Sequence, residues 1–127
     1  DFVVDFHSGG KTLDFLPFCC AHVLNDKEQQ SRCIDAMKAF NAPHSVMLLE
    51  IDAVNMYDTA AENMGKVFIS TELGGGGSTT AYTVEIAKKG IRNLLRHTGI
   101  CKGDLEVSET INLDMPDQKN MVQIYLL

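Results

Sequence analysis

The sequence predicts an α/β domain in which a mostly parallel or mixed sheet is flanked by helices. Two observations support this fold class. Short apolar runs, rich in β-branched and aromatic residues, alternate with longer stretches whose apolar residues recur at helical spacing. Glycine, proline and small polar residues separate these segments. An alternation of strands and helices is typical of a sheet that is covered by helices.

Four apolar runs are predicted as strands, and they cover residues 2–6, 13–24, 44–52 and 67–73. The first run is bounded by glycines and is continuously apolar, which predicts a strand buried on both faces. The second contains Pro17, which has no backbone N–H and therefore predicts an edge position or a bulge.

Three amphipathic stretches are predicted as helices. They cover residues 27–41, residues 57–66, and a third segment that begins after Ser78 or Thr79 and reaches His97. Asn25 or Asp26 caps the first helix, and Pro43 stops it. The residues expected on the buried faces are Cys33, Ile34, Met37 and Phe40 of the first helix, Ala60, Ala61 and Met64 of the second, and Val84, Ala87, Ile91, Leu94 and Leu95 of the third.

The composition changes near residue 102. Alternating residues and a Pro-Asp turn signal beyond this point predict two or three antiparallel strands. We therefore divide the chain into residues 1–102 and 103–127, the latter being trailing strands or the start of a β domain. Because Asp1 leads directly into an apolar strand, we expect the chain to begin inside a domain.

Charge and composition limit the possible partners. The chain of 127 residues has a formal charge of −6 and no basic cluster, which argues against nucleic acid as a partner. No apolar run approaches the roughly 20 residues of a membrane span, so a soluble, cytoplasmic protein without a membrane partner is expected. The four cysteines lack paired spacing, and buried, reduced thiols are expected.

Two glycine-rich segments could suggest phosphate binding. Gly10, Lys11 and Thr12 match the end of a P-loop, but Asp5 stands where that motif needs glycine, and a strand-like run follows instead of a helix. Residues 74–79 read GGGGST and lack the spacing of a dinucleotide fingerprint. A loop that turns tightly beneath a pocket is the preferred interpretation of this second segment.

Polar residues follow the first and last of the four predicted strands. His7 ends the first strand and Glu72 ends the last, so a mostly parallel sheet would bring both to one edge. Imidazole is a common zinc ligand, and a glutamate can accept a proton from zinc-activated water. Asp5 lies on the same face of its strand as His7 and could orient the imidazole through its other ring nitrogen.

The sequence motifs at these two strand ends resemble those of a known family. The segments DFHSGG, at residues 5–10, and STELGGGG, at residues 70–77, resemble the succinylglutamate desuccinylase/aspartoacylase family of zinc-dependent deacylases. The sequence between these two motifs is most similar to a subgroup of deacetylases that act on an N-acetylated diamino acid. The resemblance implies a zinc cofactor, His7 as a metal ligand and Glu72 as the general base. It also implies a zinc carboxypeptidase-like fold, of which residues 1–102 would be the C-terminal part.

The family's other two zinc ligands come from an HxxE motif, and this sequence has none. We therefore expect an incomplete chain that is inactive alone, from a hydrolase whose substrate is a small N-acylated amino acid. The substrate-binding residues cannot be assigned. The alternative is a non-catalytic module that binds a ligand or self-associates, with an exposed sheet edge forming a homo-oligomer.

Other candidate side chains have simpler interpretations. His22 and His44 lie in apolar runs and His97 lies in the last turn of a predicted helix, so structural roles are expected for all three. Glu50 and Asp52, at the end of the middle strand, are expected in solvent rather than in a pocket.

Overall fold

A computed structural model describes residues 1–49 and 56–113, and these residues form one mixed sheet with helices. The elements, in chain order, are β1 (Phe2–His7), β2 (Phe18–His22), α1 (Lys27–Phe40), β3 (His44–Leu48), α2 (Tyr57–Asn63), β4 (Val67–Glu72), α3 (Ala81–His97) and β5 (Ile111–Leu113). The predicted α/β class is confirmed.

The strand order across the sheet is β1-β4-β2-β3-β5. β1 pairs with β4 in parallel, β2 with β3 in parallel and β3 with β5 in parallel, whereas β2 and β4 are antiparallel. The sheet is therefore mixed. The parallel pairing of β1 with β4 places the carboxyl ends of both strands at the same edge.

The predictions for the first two strands need correction. β1 lies at an edge of the sheet, and Phe2 and Phe6 are 43% and 44% exposed, so the strand is not buried on both faces. β2 begins after Pro17 and lies in the middle of the sheet. Proline cannot donate the hydrogen bond that a central strand needs, which explains why pairing starts at the next residue.

The first two helices form where they were predicted. Asp26 caps α1 by accepting hydrogen bonds from the backbone N–H groups of Glu28 and Gln29. The face predicted for α2 is wrong, because Met64 is 71% exposed and the buried residue of the helix is Glu62. Its carboxylate lies 2.8 Å from His22 Nδ1, so the buried group has a hydrogen-bond partner.

The third helix differs from its prediction in cap and face. Thr80, rather than Ser78 or Thr79, is the N-cap of α3, and its hydroxyl accepts from the backbone N–H of Thr83. Of the five predicted core residues only Leu94 is fully buried. The buried residues of the helix are Thr83, Ile86, Gly90, Asn93 and Leu94. Gly90 lies on this buried face, where the lack of a Cβ atom lets α3 approach Phe40 of α1 closely.

The C-terminal prediction is also partly wrong. β5 is parallel to β3 rather than part of an antiparallel group, and it extends the same sheet. Asn93 holds the segment before it, because its side chain exchanges hydrogen bonds with the backbone of Glu106. Residues 114–127 lie outside the described residues, so the division at residue 102 stays a prediction.

The core lies between the sheet and the helices α1 and α3. Its fully buried residues include Cys19, Cys33, Phe40, Val67 and Ile69. The prediction of buried, reduced cysteines holds for Cys19, Cys20 and Cys33, but Cys101 is exposed. None of the described helices is long and apolar enough to cross a membrane.

Gly90→Ala tests the close approach of α1 and α3. At an exposed helical position this change stabilises a protein by up to about 1 kcal/mol. Here a Cβ atom would lie 2.3 Å from the fully buried Phe40 ring, so we expect a loss of about 1–3 kcal/mol in the free energy of unfolding. Urea denaturation measures the change. In a Phe40→Leu background, which lacks the ring atoms that the new Cβ would meet, Gly90→Ala should cost much less. A Gly90→Ala variant more stable than the wild type would contradict the packing described.

Candidate active site

The carboxyl ends of β1 and β4 bring His7 and Glu72 together. They are direct neighbours in the parallel register, as the sequence predicts. The pairing continues past the strands, because the backbone N–H of Leu73 donates to the carbonyl of His7 at 2.9 Å. The N–H of His7 lies 3.3 Å from the hydroxyl of Thr71, which is fully buried. The backbone that carries the two polar residues is therefore fixed.

A carboxylate orients the imidazole of His7. Asp5 lies two residues earlier on the same face of β1, and its Oδ2 atom is 2.7 Å from His7 Nδ1. The hydroxyl of Tyr57, at the start of α2, donates a hydrogen bond to the same oxygen. The placement of Asp5 agrees with the sequence analysis. Tyr57 was missed, because no spacing in the sequence indicates that the start of α2 lies within reach of Asp5.

Glu72 has the properties of a proton acceptor. Burial raises the pKa of its carboxyl group, the neighbouring His7 lowers it, and the negative charge of Asp5 raises it further. The net effect is a raised pKa. Its Oε2 atom is buried and has no hydrogen-bond partner among the residues that the structure describes. A buried carboxylate oxygen without a partner is costly in a merely structural residue and is common at catalytic sites.

The two strand ends line a cavity of about 170 Å³. Asp5, Tyr57, Asp58 and Cys20 also contribute to its walls. Burial raises the pKa of Cys20 to about 12, so this residue is a neutral thiol at physiological pH and is not an activated nucleophile.

A larger groove of about 490 Å³ runs between α3 and the segment that precedes β5. Lys89 and Arg92 line it, and both have local partners: Lys89 donates to Asn41, and Arg92 donates to Glu106. We assign the candidate active site to the smaller cavity, because that cavity holds the unpartnered carboxylate oxygen of Glu72.

The glycine-rich loops support the strand ends. The loop after β1 and the loop after β4 exchange backbone hydrogen bonds, from Gly9 N–H to the carbonyl of Gly74 at 2.9 Å and from Gly77 N–H to that of Gly10 at 2.8 Å. Gly75 is required, since a Cβ atom there would lie 2.0 Å from the Leu13 carbonyl oxygen. The N–H groups of Gly9, Gly76 and Gly77 bind backbone carbonyls, and β2 rather than a helix is the next element after Thr12, unlike in a P-loop.

The remaining histidines have local partners. His22 pairs with Glu62 and stacks on the Phe68 ring, and its side chain also reaches the wall of the cavity. His44 Nδ1 lies 3.0 Å from the carbonyl oxygen of Pro17, and His97 packs edge-on against Phe2. Glu50 and Asp52 lie outside the described residues.

A zinc ion in a catalytic site usually takes three protein ligands. Within residues 1–49 and 56–113 no group of three His, Cys, Asp or Glu side chains could hold a metal. His7 does fit a single ligand position. Its Nδ1 is engaged by a carboxylate, and this arrangement commonly prepares Nε2 to bind a metal.

Comparison with known proteins identifies the family. Residues 1–98 match the succinylglutamate desuccinylase/aspartoacylase catalytic domain, and the chain belongs to this family. It is 50% identical over 125 residues to an N-alpha-acetyl-L-2,4-diaminobutyric acid deacetylase from Halomonas elongata. That alignment covers 97% of this chain and 36% of the relative.

Solved structures agree with this assignment. The product-bound ectoine utilization protein EutE (DoeB) from Ruegeria pomeroyi is 65% identical, with a TM-score of 0.88 over 92% of this chain and 36% of that one. A succinylglutamate desuccinylase from Silicibacter sp. TM1040 is 61% identical, with a TM-score of 0.89 over 93% and 36% of the two chains. The chain therefore spans little more than a third of the length of these relatives.

Glu72→Gln tests the cost of an ionised carboxylate in this position. Because the pKa of Glu72 is raised in the folded protein, the folded state binds this proton more tightly than the unfolded chain does. Ionisation therefore destabilises the fold as the pH rises through that pKa. We expect Glu72→Gln to match the wild type below about pH 4, where both side chains are neutral, and to exceed its stability at pH 7.

Urea unfolding at the two pH values measures this difference. Glu109→Gln, in the exposed segment before β5, is the matched control and should not change stability in a pH-dependent way. If Glu72→Gln were less stable than the wild type at pH 7, the carboxylate would be structural.

Proposed function

We propose that this chain carries part of the active site of a zinc-dependent deacylase that hydrolyses the amide bond of a small N-acylated amino acid. One observation carries the proposal: the parallel pairing of β1 with β4 brings an oriented imidazole next to a carboxylate with a raised pKa. Family membership and the names of the relatives support the same class of reaction.

The proposed roles follow from the contacts of each residue. His7 would be one zinc ligand through Nε2, with Asp5 holding Nδ1. The other ligands would come from outside the described residues. When bound, zinc would polarise the acyl carbonyl group and make water more acidic. Glu72 would accept the proton of the attacking water and deliver it to the departing amine, and its raised pKa suits both transfers.

The charge of the cavity suggests a substrate class. The described residues that line it include Asp5, Asp58 and Glu72, and no lysine or arginine is among them. A negative wall disfavours a substrate with a second carboxylate and favours one with an amino group. This agrees with the substrate in the name of the Halomonas elongata relative, so an N-acetylated diamino acid is the proposed substrate.

A second candidate function is a non-catalytic module that binds a ligand or self-associates. One feature favours it: β1 presents Phe2 and Phe6 at a sheet edge. Self-association through that edge would give a homo-oligomer, as the sequence analysis expects. A hydrodynamic mass above that of one chain is its first test.

The deacylase proposal is tested with the complete gene product, by measuring zinc content and hydrolysis of N-acetyl-diaminobutyrate and of N-acetylaspartate. Zinc near one per chain and preference for the diamino substrate are expected. Glu72→Gln should lower kcat by roughly 10²–10⁴ and leave the zinc content unchanged. His7→Ala should lower both, whereas His97→Ala, whose ring contacts Phe2, should lower neither. The isolated 127-residue chain is expected to show no turnover.

Two results would contradict the proposal. A complete gene product without zinc and without turnover would remove the deacylase assignment and leave the binding module. Turnover that survives Glu72→Gln at the wild-type rate would remove Glu72 as the base.

A further inference from the structure

The proposed reaction leaves Tyr57 without a role. Its hydroxyl donates to Oδ2 of Asp5, and the same oxygen lies 2.7 Å from Nδ1 of His7. One carboxylate oxygen therefore joins the tyrosine hydroxyl to the imidazole. Tyr57 also lines the cavity.

Tyr57 is held in place by the anchoring of its helix. Glu62, one turn further along α2, is buried against His22 of β2 with 2.8 Å between the two side chains. The side-chain amide of Gln29 on α1 donates to the backbone carbonyls of Glu62 and Lys66, each at 2.8 Å. The Tyr57 ring packs edge-on against Phe68 of β4. The hydroxyl is therefore presented to β1 by a fixed element.

The chemistry of the tyrosine defines the direction of the hydrogen bond. The Tyr57 side chain is 53% exposed. Partial loss of hydration at its hydroxyl, the hydrogen bond to Asp5 and the negative charges of Asp5 and Asp58 all raise the pKa of Tyr57 above its ordinary value. The hydroxyl is thus protonated at neutral pH, and toward a carboxylate it can only donate. A donor on Oδ2 restricts rotation of the carboxylate, which keeps that oxygen facing His7.

We propose that Tyr57 is a positioning residue that acts through Asp5, holding the neutral His7 ring in the tautomer with the proton on Nδ1. Nε2 then carries the lone pair with which His7 would bind a divalent cation. The cation belongs to the proposed function, on which this step rests, whereas the choice of tautomer is a property of the three side chains alone.

The test uses the complete gene product, freed of metal and labelled with ¹⁵N in histidine, at a pH where the imidazole is neutral. The ¹⁵N shifts of His7, assigned with His7→Ala, report which ring nitrogen carries the proton. We expect Nδ1–H in the wild type and a mixture of tautomers in Tyr57→Phe. That variant keeps the ring that packs on Phe68, so a loss of packing would not explain the change.

Zinc affinity, measured by competition with a chelator, gives a second readout. Asp5→Asn should weaken binding by roughly 10–100-fold, and Tyr57→Phe by a smaller, several-fold factor. In the Asp5→Asn background Tyr57→Phe should cause no further loss, because the hydroxyl acts only through that carboxylate. Tyr82→Phe, which alters an exposed tyrosine of α3, is the control and should change neither readout.

A Tyr57→Phe variant with the wild-type tautomer and zinc affinity would overturn the proposal. A rise in KM for substrate with the tautomer unchanged would do so as well, and would place the hydroxyl against substrate. The readouts also separate this step from the proposed function. A tautomer shift in a protein without deacylase activity supports the positioning role alone, and turnover with no shift supports the deacylase alone.

Discussion

The parallel register of β1 and β4 is the constraint on which the site depends. Side chains alternate between the faces of a strand, so a slip of one residue would send His7 or Glu72 to the opposite face. Several contacts prevent such a slip: the Leu73 N–H bonds the His7 carbonyl, and the loops beyond the strands are joined by further backbone hydrogen bonds. The glycine-rich segment is therefore part of the scaffold that places two polar side chains together.

Around this register, polar side chains of β1, α2 and β4 gather about His7. Asp5 receives hydrogen bonds on one oxygen from a tyrosine and lies against an imidazole, while a glutamate oxygen nearby is buried without a partner among the described residues. An arrangement that leaves such an atom unsatisfied has a cost in stability. In the proposed function, proton transfer at that atom would offset this cost.

Much of the fold and the site could be predicted from the sequence. Apolar runs and helical spacing predicted the strands and helices. The polar residues His7 and Glu72 predicted that their two strands end at one edge of the sheet. Tyr57 could not be found in this way, because its contact with Asp5 depends on how α2 packs against β4. The buried face of α2 was misjudged for a related reason, since the partner that lets Glu62 be buried is His22, which is distant in sequence. Likewise, the buried face of α3 includes Gly90, which packs against Phe40 of α1, a residue distant in sequence.

Amide hydrogen exchange measures the protection of the hydrogen bonds that lock the two strand ends together. The N–H groups of Leu73, Gly9 and Gly76 all bond carbonyls across the loops. We predict that these three amides exchange about as slowly as those in the middle of β4. Exchange as fast as in the exposed segment 102–105 would show that the strand ends are not locked, and the account of the site would fail.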